Sequence, residues 1–391
     1  MLKNLKYFFQ IIKNMKIIFK KPKKCKVILY DRNTGYGLRH YLNYDEIFIL
    51  DTRKESINIL ILIRSLIKHG FRWSYKKYLY NIIEFVNPSV IISNIDNNKN
   101  FWEIKKNFKN IKTVFIQNGF RSIYHDIFSK TNQTERYKYH VDKMLVFNDE
   151  IGKKYSSHIE GETISIGSLN NNRISINKNQ NQNQEILFIS EWGPKRKWVG
   201  KTEEARKKFY PEKFIFPLLL DFAKKNNIFL NVLGRPYKKE FPDDNIEEKD
   251  FFSEIAGSKN WNYISTSKPG EESYNIIDNH KIIVCVSSTL GYEALARGKK
   301  TAFFSLRNLK ITEETGYNFA WPSKLPDSGP FWTNIDNPLD VTRIMEFLLS
   351  INIKEWQETV EPYLPKCMKY DESNKRFLSE MNKLNIPIKA Q

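Results

Sequence analysis

What most constrains this chain is a repeated unit: a short apolar run that ends on a polar residue, then a stretch long enough for a helix. Lys26–Asp31 (KVILYD), Glu46–Asp51 (EIFILD), Ser89–Ser93 (SVIIS), Thr113–Gln117 (TVFIQ) and Lys143–Phe147 (KMLVF) make one set. Glu185–Ser190 (EILFIS), Phe229–Gly234 (FLNVLG), Trp261–Ser265, Ile282–Ser287 (IIVCVS) and Thr301–Ser305 make a second. Helix-length stretches fall between them: Ser56–Lys68, Trp73–Phe85 and Phe101–Phe108 in the first set, Pro211–Lys225, Glu271–Asn279, Leu290–Arg297 and Leu339–Ile351 in the second. Continuous apolar strands alternating with helices specify a parallel sheet covered on both faces. Two such sets predict an α/β protein of two Rossmann-like domains, which suits 391 residues. The expected division is a basic arm at 1–25, an N-terminal Rossmann-like domain at 26–169, a C-terminal Rossmann-like domain at 185–365 and a helical tail at 366–391. Between the domains, Asn170–Gln184 (NNNRISINKNQNQNQ) has almost no apolar content, which makes it a linker or a loop; its place near the middle favours a polar interdomain linker.

Composition narrows the partners. Hydrophobic residues at 41% and aromatics at 14% exclude wholesale disorder, and a formal charge of +19 calls for an anionic partner. Met1 to Lys26 carries nine lysines and no acid. There Leu5, Phe8, Phe9, Ile12, Met15 and Phe19 recur near helical spacing, the pattern of a basic amphipathic helix lying on an anionic membrane surface. A solvated arm, or a helix packed on its own domain, is the plainer alternative. Nucleic acid is not expected, because the basic residues form no patterned stripe with a reading motif. The longest apolar run, Ile59–Ile63, stops at Arg64, far short of the roughly 20 residues that cross a bilayer. Lys13 and Lys16 interrupt any signal-peptide core. Cys25, Cys285 and Cys367 have no disulfide or zinc spacing and fit a reducing cytosol. The expected location is cytoplasmic, peripheral at the inner face of the cytoplasmic membrane. No GxxxxGK[ST], GxGxxG or DxD is present, which disfavours P-loop nucleotidases, dehydrogenases and metal-bridged diphosphate transferases. Neither a metal nor a cofactor is expected.

The motif richest in chemistry is Ile282–Ser305, IIVCVSSTLGYEALARGKKTAFFS. A buried strand ends at Ser287, and Ser288 and Thr289 open a helix. Amides at a helix start bind anions without a cationic side chain. Hydroxyls of Ser287, Ser288 and Thr289 add donors, Gly291 is expected to let a phosphate approach, and Glu293 one turn on can accept the hydroxyls of a ribose. The competing reading has Ser288 or Thr289 as a plain cap and Glu293 facing solvent. This segment, with Asn318–Asn334 (NFAWPSKLPDSGPFWTN), Ser267–Asp278 (SKPGEESYNIID) and Ile116–Ser122 (IQNGFRS), resembles bacterial surface-carbohydrate biosynthesis proteins that look like GT-B glycosyltransferases. More distantly it is similar to capsule-type transferases using cytidine-monophosphate-activated sugar acids such as Kdo, and to polyol-phosphate transferases. The resemblance implies a GT-B-like pair of domains facing across a cleft and a nucleotide-sugar donor held at Ser287, Ser288, Thr289 and Glu293.

Other strand ends supply further candidates. Glu191 in FISEWGPKRKW could act as acid or base, with Lys195 or Arg196 neutralising a leaving phosphate. Arg235 in LGRPYK suits a phosphate or a sugar carboxylate. Asp31 ends the first strand and is a candidate catalytic base or nucleophile, unless it only caps the turn at Gly35. Gln117 and Asn118 are placed to hold an acceptor, with His125 as a weaker candidate beside Asp126. These readings make a glycosyltransferase that moves a sugar from a nucleotide donor onto a surface polysaccharide or lipopolysaccharide acceptor. A non-hydrolysing nucleotide-sugar epimerase and a polyol-phosphate transferase are the alternatives.

Overall fold

The computed structural model describes residues 15–33, 35–121, 128, 139–176, 183–197, 199–257, 260–267, 270–307 and 317–389. The strands are β1 (Lys16–Ile18), β2 (Val27–Tyr30), β3 (Ile47–Leu50), β4 (Ser56–Asn58), β5 (Val90–Ser93), β6 (Lys112–Ile116), β7 (Tyr139–Val146) and β8 (Ile159–Ser165) in the first half. The second half holds β9 (Asn183–Ile189), β10 (Phe229–Leu233), β11 (Asn262–Ile264), β12 (His280–Cys285), β13 (Lys300–Phe304) and β14 (Trp332–Thr333). Apart from the β1–β4 pair they form two six-stranded sheets, in the orders β3-β2-β5-β6-β7-β8 and β11-β10-β9-β12-β13-β14. Every neighbouring pair is parallel. The apolar runs are strands because both of their faces are covered: all four residues of β2 and of β5 are buried.

Strand order reverses direction once in each sheet, between β2 and β5 in the first and between β9 and β12 in the second. At such a switch point the loops beyond the carboxyl ends diverge and leave a crevice. One apolar cluster runs through both halves, and a second lies on the other face of the first sheet. Phe377, Met381 and Ile386 belong to the second cluster, so the tail helix Lys375–Lys383 closes the N-terminal half and not its own.

Two expectations need correction. The described end of the basic arm is not helical: Lys16–Ile18 forms a strand beside Ser56–Asn58, opened by the Lys16 amide donating to the Glu55 carbonyl at 2.9 Å. A ladder supplied by a distant segment overrides the local 3.6-residue spacing. Residues 1–14 of that arm lie outside the described residues. The Asn-rich stretch is no solvated linker at its start. Leu169–Arg173 is a helical turn in which Asn171 and Asn172 are buried, their amides satisfied by partners from both halves and the tail.

Candidate functional site

Strand β12 delivers its chain end to the switch point. Ser288 caps the helix Thr289–Ala296, its Oγ accepting from the Leu290 amide at 3.3 Å. Gly291 does not open a path for phosphate: a Cβ there would stand 2.1 Å from the Cys285 Sγ, so glycine lets the helix close on its own strand. The Ser287 amide is likewise taken, donating to Glu191 Oε1 at 2.6 Å, with the Ser287 hydroxyl 3.1 Å from Glu191 Oε2. A carboxylate from the end of β9 thus occupies one anion position at this strand end.

Glu191 is itself anchored from behind. Arg307 donates to Glu191 at 2.8 Å and to Glu212 at 2.7 Å, and also reaches the Ser287 hydroxyl. The Arg307 and Glu212 side chains are buried. Burial pushes the Glu212 carboxyl up while Arg307 pulls it down; burial also works against the Arg307 charge, but the two glutamates outweigh it and raise that pKa. No motif or spacing in the sequence marks this arginine.

A cavity of about 630 Å³ opens in front of this corner, at the seam between the two halves. From the second half it is lined by Glu191, Ser287, Ser288, Thr289, Tyr292 and Glu293, with Gly270, Ser273 and Tyr274 beyond them. From the first half come Asn118, Phe120 and Arg121, just past β6, together with Asn170. The seam is bonded: the Phe120 amide donates to Thr289 Oγ1 at 3.0 Å, and the Phe120 ring stacks on Tyr292 with centroids 3.7 Å apart. Arg121 is the one cationic side chain lining the cavity among the described residues. Its Nε donates to Asp96 Oδ2 at 2.6 Å and its Nη2 to Asn118 Oδ1 at 2.7 Å, on a fully buried Asp96 that also accepts from Tyr155. Arg121 was not singled out from the sequence, although its place after the Gly119 turn at a strand end was a usable signal.

Glu293 lines the cavity but does not face solvent. It accepts from the Ser168 hydroxyl, and burial lifts its carboxyl to about 7 against the pull of Ser168, Tyr274 and Arg297. Burial and the Glu293 charge in turn drive the Tyr274 phenol well above its ordinary value. Arg297 pairs with Asp278 and holds the Leu169–Arg173 turn through Asn171 Oδ1 (3.2 Å) and the segment after it through the carbonyls of Ile174 (2.9 Å) and Ser175 (3.1 Å).

Most of the remaining candidates are elsewhere. Gln117 is buried and braces the turn, donating to the Gly119 carbonyl at 3.0 Å and accepting from the Phe147 amide at 2.9 Å. Asn118 reaches the cavity wall. Lys195 is exposed outside the cavity, its amide 3.0 Å from Glu247 Oε2. Arg235 is held by the Trp192 carbonyl at 3.1 Å and by Glu248, which accepts its amide at 2.8 Å, and it does not line the cavity. Asp31 lines a separate cavity of about 240 Å³ within the first half, with Thr52, Arg53, Tyr75 and Asn98. His125 lies outside the described residues. Among the described residues, no three His, Cys, Asp or Glu side chains gather in a way that could hold a metal.

Comparison with known proteins adds a family and a fold. Residues 114–385, well over half of the chain, match a family model described as "putative O-antigen biosynthesis protein". Among solved structures, a putative UDP-N-acetylglucosamine 2-epimerase from Listeria monocytogenes is similar at a TM-score of 0.51 and 12% identity, over 93% of this chain and 96% of that one. The wall teichoic acid polymerase TagF is similar at 0.50 and 11% identity, over 93% of this chain and 90% of that one. At these identities the likeness carries the fold alone: the GT-B-like arrangement of two Rossmann-like halves. No curated protein matches the sequence.

Proposed function

The chain belongs to the O-antigen biosynthesis protein family, and on that premise we propose that it is a glycosyltransferase acting on a surface polysaccharide or lipopolysaccharide under assembly. One observation carries the reading: the switch point between β9 and β12 opens into the 630 Å³ cavity at the seam of the two halves. A nucleotide-activated sugar binds there, its phosphate against the Ser288–Leu290 helix start and its sugar towards Arg121. A guanidinium held in a fixed plane by Asp96 suits a phosphate or a sugar-acid carboxylate, so CMP-Kdo and related CMP-sugar acids head the list of donors. Glu191 serves as a positioning residue, because Arg307 and the Ser287 amide hold it as an acceptor. The acceptor approaches from the Asn118 side, and the donor is used without metal or cofactor. An acceptor carried at the inner face of the cytoplasmic membrane fits the basic arm.

A nucleotide-sugar epimerase is the second reading, favoured by Glu293: a buried carboxyl with a pKa near 7 can take and release a proton. The deciding experiment incubates the protein with CMP-, UDP- and GDP-sugars, with and without a surface-glycan acceptor fraction. Acceptor-dependent release of free nucleotide supports transfer. A new epimer still bearing its nucleotide supports epimerisation. Failure of every nucleotide to bind by calorimetry overturns both.

A further inference from the structure

Among the described residues, one apolar face is left uncovered by any other described element. Helix Ile59–His69 buries Ile61 and Ser65 against its own half, with Asn81 donating to the Ser65 hydroxyl at 3.2 Å. Its opposite side turns Leu60, Ile63 and Ile67 outward, at 47%, 50% and 80% exposed, and Phe71 beyond its end is fully exposed. Leu60, Ile63 and Ile67 lie on one side of a 3.6-residue helix and so form a stripe, with Leu66 at its edge and Phe71 in the short turn Gly70–Arg72 just past the helix end. Strand β1 pairs with β4, which leads directly into this helix, so Ile17 lies beside Ile57; Ile17 and Phe19, the residue after β1, are 52% and 72% exposed. Isolated exposed aliphatics are ordinary, but a contiguous group marks an interaction surface.

We propose that this face docks on an anionic lipid bilayer. Charge selects that occupant. Ser56 to Ile83 contains no acid, and Met1 to Lys26 contains nine lysines and none. Lys68 is offset by Glu84 and Lys76 by Glu103, while Arg64, Arg72, Lys16, Lys20 and Lys21 stand exposed on the same two segments. A second copy docking symmetrically would set these cations against their own images, which is unfavourable. Anionic headgroups neutralise them while the stripe enters the acyl boundary. Related chemistry recurs in a cavity of about 410 Å³ walled by Ile18, Ile47 and Phe48 and bordered by Lys20, Lys21 and Lys23, its one acid, Asp51, being paired with Arg32. This inference concerns the folded surface and does not depend on the sugar-transfer reading.

The test is co-sedimentation of the full chain with vesicles of phosphatidylcholine alone or of equimolar phosphatidylcholine and phosphatidylglycerol. The wild type should bind the anionic vesicles and not the neutral ones. Ile67→Glu with Phe71→Glu, both solvent-facing and therefore compatible with folding, should lower the partition coefficient at least about tenfold. Leu339→Glu, changing a residue 76% exposed on the other half, should leave it unchanged. Equal binding to both vesicle types, an unaltered double variant, or an equal loss in Leu339→Glu would overturn the proposal. So would a dimer in sedimentation equilibrium that the double variant dissolves while vesicle binding persists.

Discussion

Asp31 and Glu191 hold the same address in the two halves: each is an acid just past the strand at which its sheet reverses, and each accepts from an arginine. Asp31 takes Arg53 Nε, Thr52 Oγ1 and the Asn33 amide, each at 2.9 Å. Glu191 takes Arg307, the Ser287 amide and the Ser287 hydroxyl. What differs is the surroundings. The Asp31 group closes on a small cavity inside one half, whereas the Glu191 group faces the large cavity that both halves build. A strand-end carboxylate marks where chemistry can occur, and the second lobe decides whether a substrate can be enclosed there.

The sharpest way to break this comparison is to remove the two arginines. Arg307 bridges two carboxylates with its side chain 3% exposed, so Arg307→Ala strands buried charge and should cost about 3–5 kcal/mol in urea unfolding. Arg53 is 55% exposed, and Arg53→Ala should cost less than about 1 kcal/mol. Equal losses would show that the two anchors are the same structural device.

The next effect belongs to Glu293. Its folded-state pKa of about 7 exceeds the ordinary 4.5, so the native state holds the proton more tightly than the unfolded chain. That contribution is complete below 4.5 and is lost as pH rises through 7. Glu293→Gln cannot ionise. The variant should match wild type in acid and gain on it between those values, by an amount of order 3 kcal/mol above neutrality. A stability difference that does not change with pH would rule this out.

The lobes themselves can be loosened. Phe120→Ala removes the stack on Tyr292 but keeps the amide bond to Thr289. It should cost about 0.5–1.5 kcal/mol of interlobe attraction beyond the lost area, read as weaker nucleotide binding in calorimetry and a larger radius in solution scattering. Unchanged affinity would separate the seam from the binding site.

The sheets were legible because a strand buried on both faces leaves a local record, a continuous apolar run such as IIVCV, and Ser288 was legible as a cap for the same local reason. The anchors were not. Arg307 meets Glu191 and Glu212 across long stretches of chain, and no spacing rule reports such a meeting. Gly291 shows the limit within a motif: glycine at a helix start serves either a ligand or a close strand, and only the 2.1 Å approach to Cys285 decides. Lys16–Ile18 and Asn171–Asn172 failed alike, because partners from distant segments overrode helical periodicity in one and polar composition in the other.

The smallest effects test the other side of the comparison. Lys195 and Asp31 were candidates on strand-end position alone, and neither lines the seam cavity. Lys195→Ala changes an exposed side chain, and Asp31→Asn keeps the shape of a group enclosed in its own half. Each should leave nucleotide affinity within about twofold of wild type, the range of a substitution remote from the ligand. A larger loss in Asp31→Asn would mean that the 240 Å³ cavity communicates with the seam. Strands lie about 4.8 Å apart, so the end of β2 is about 10 Å from the end of β6, which carries Asn118 and Arg121. An extended acceptor could span that distance, and the two addresses would then serve a single substrate.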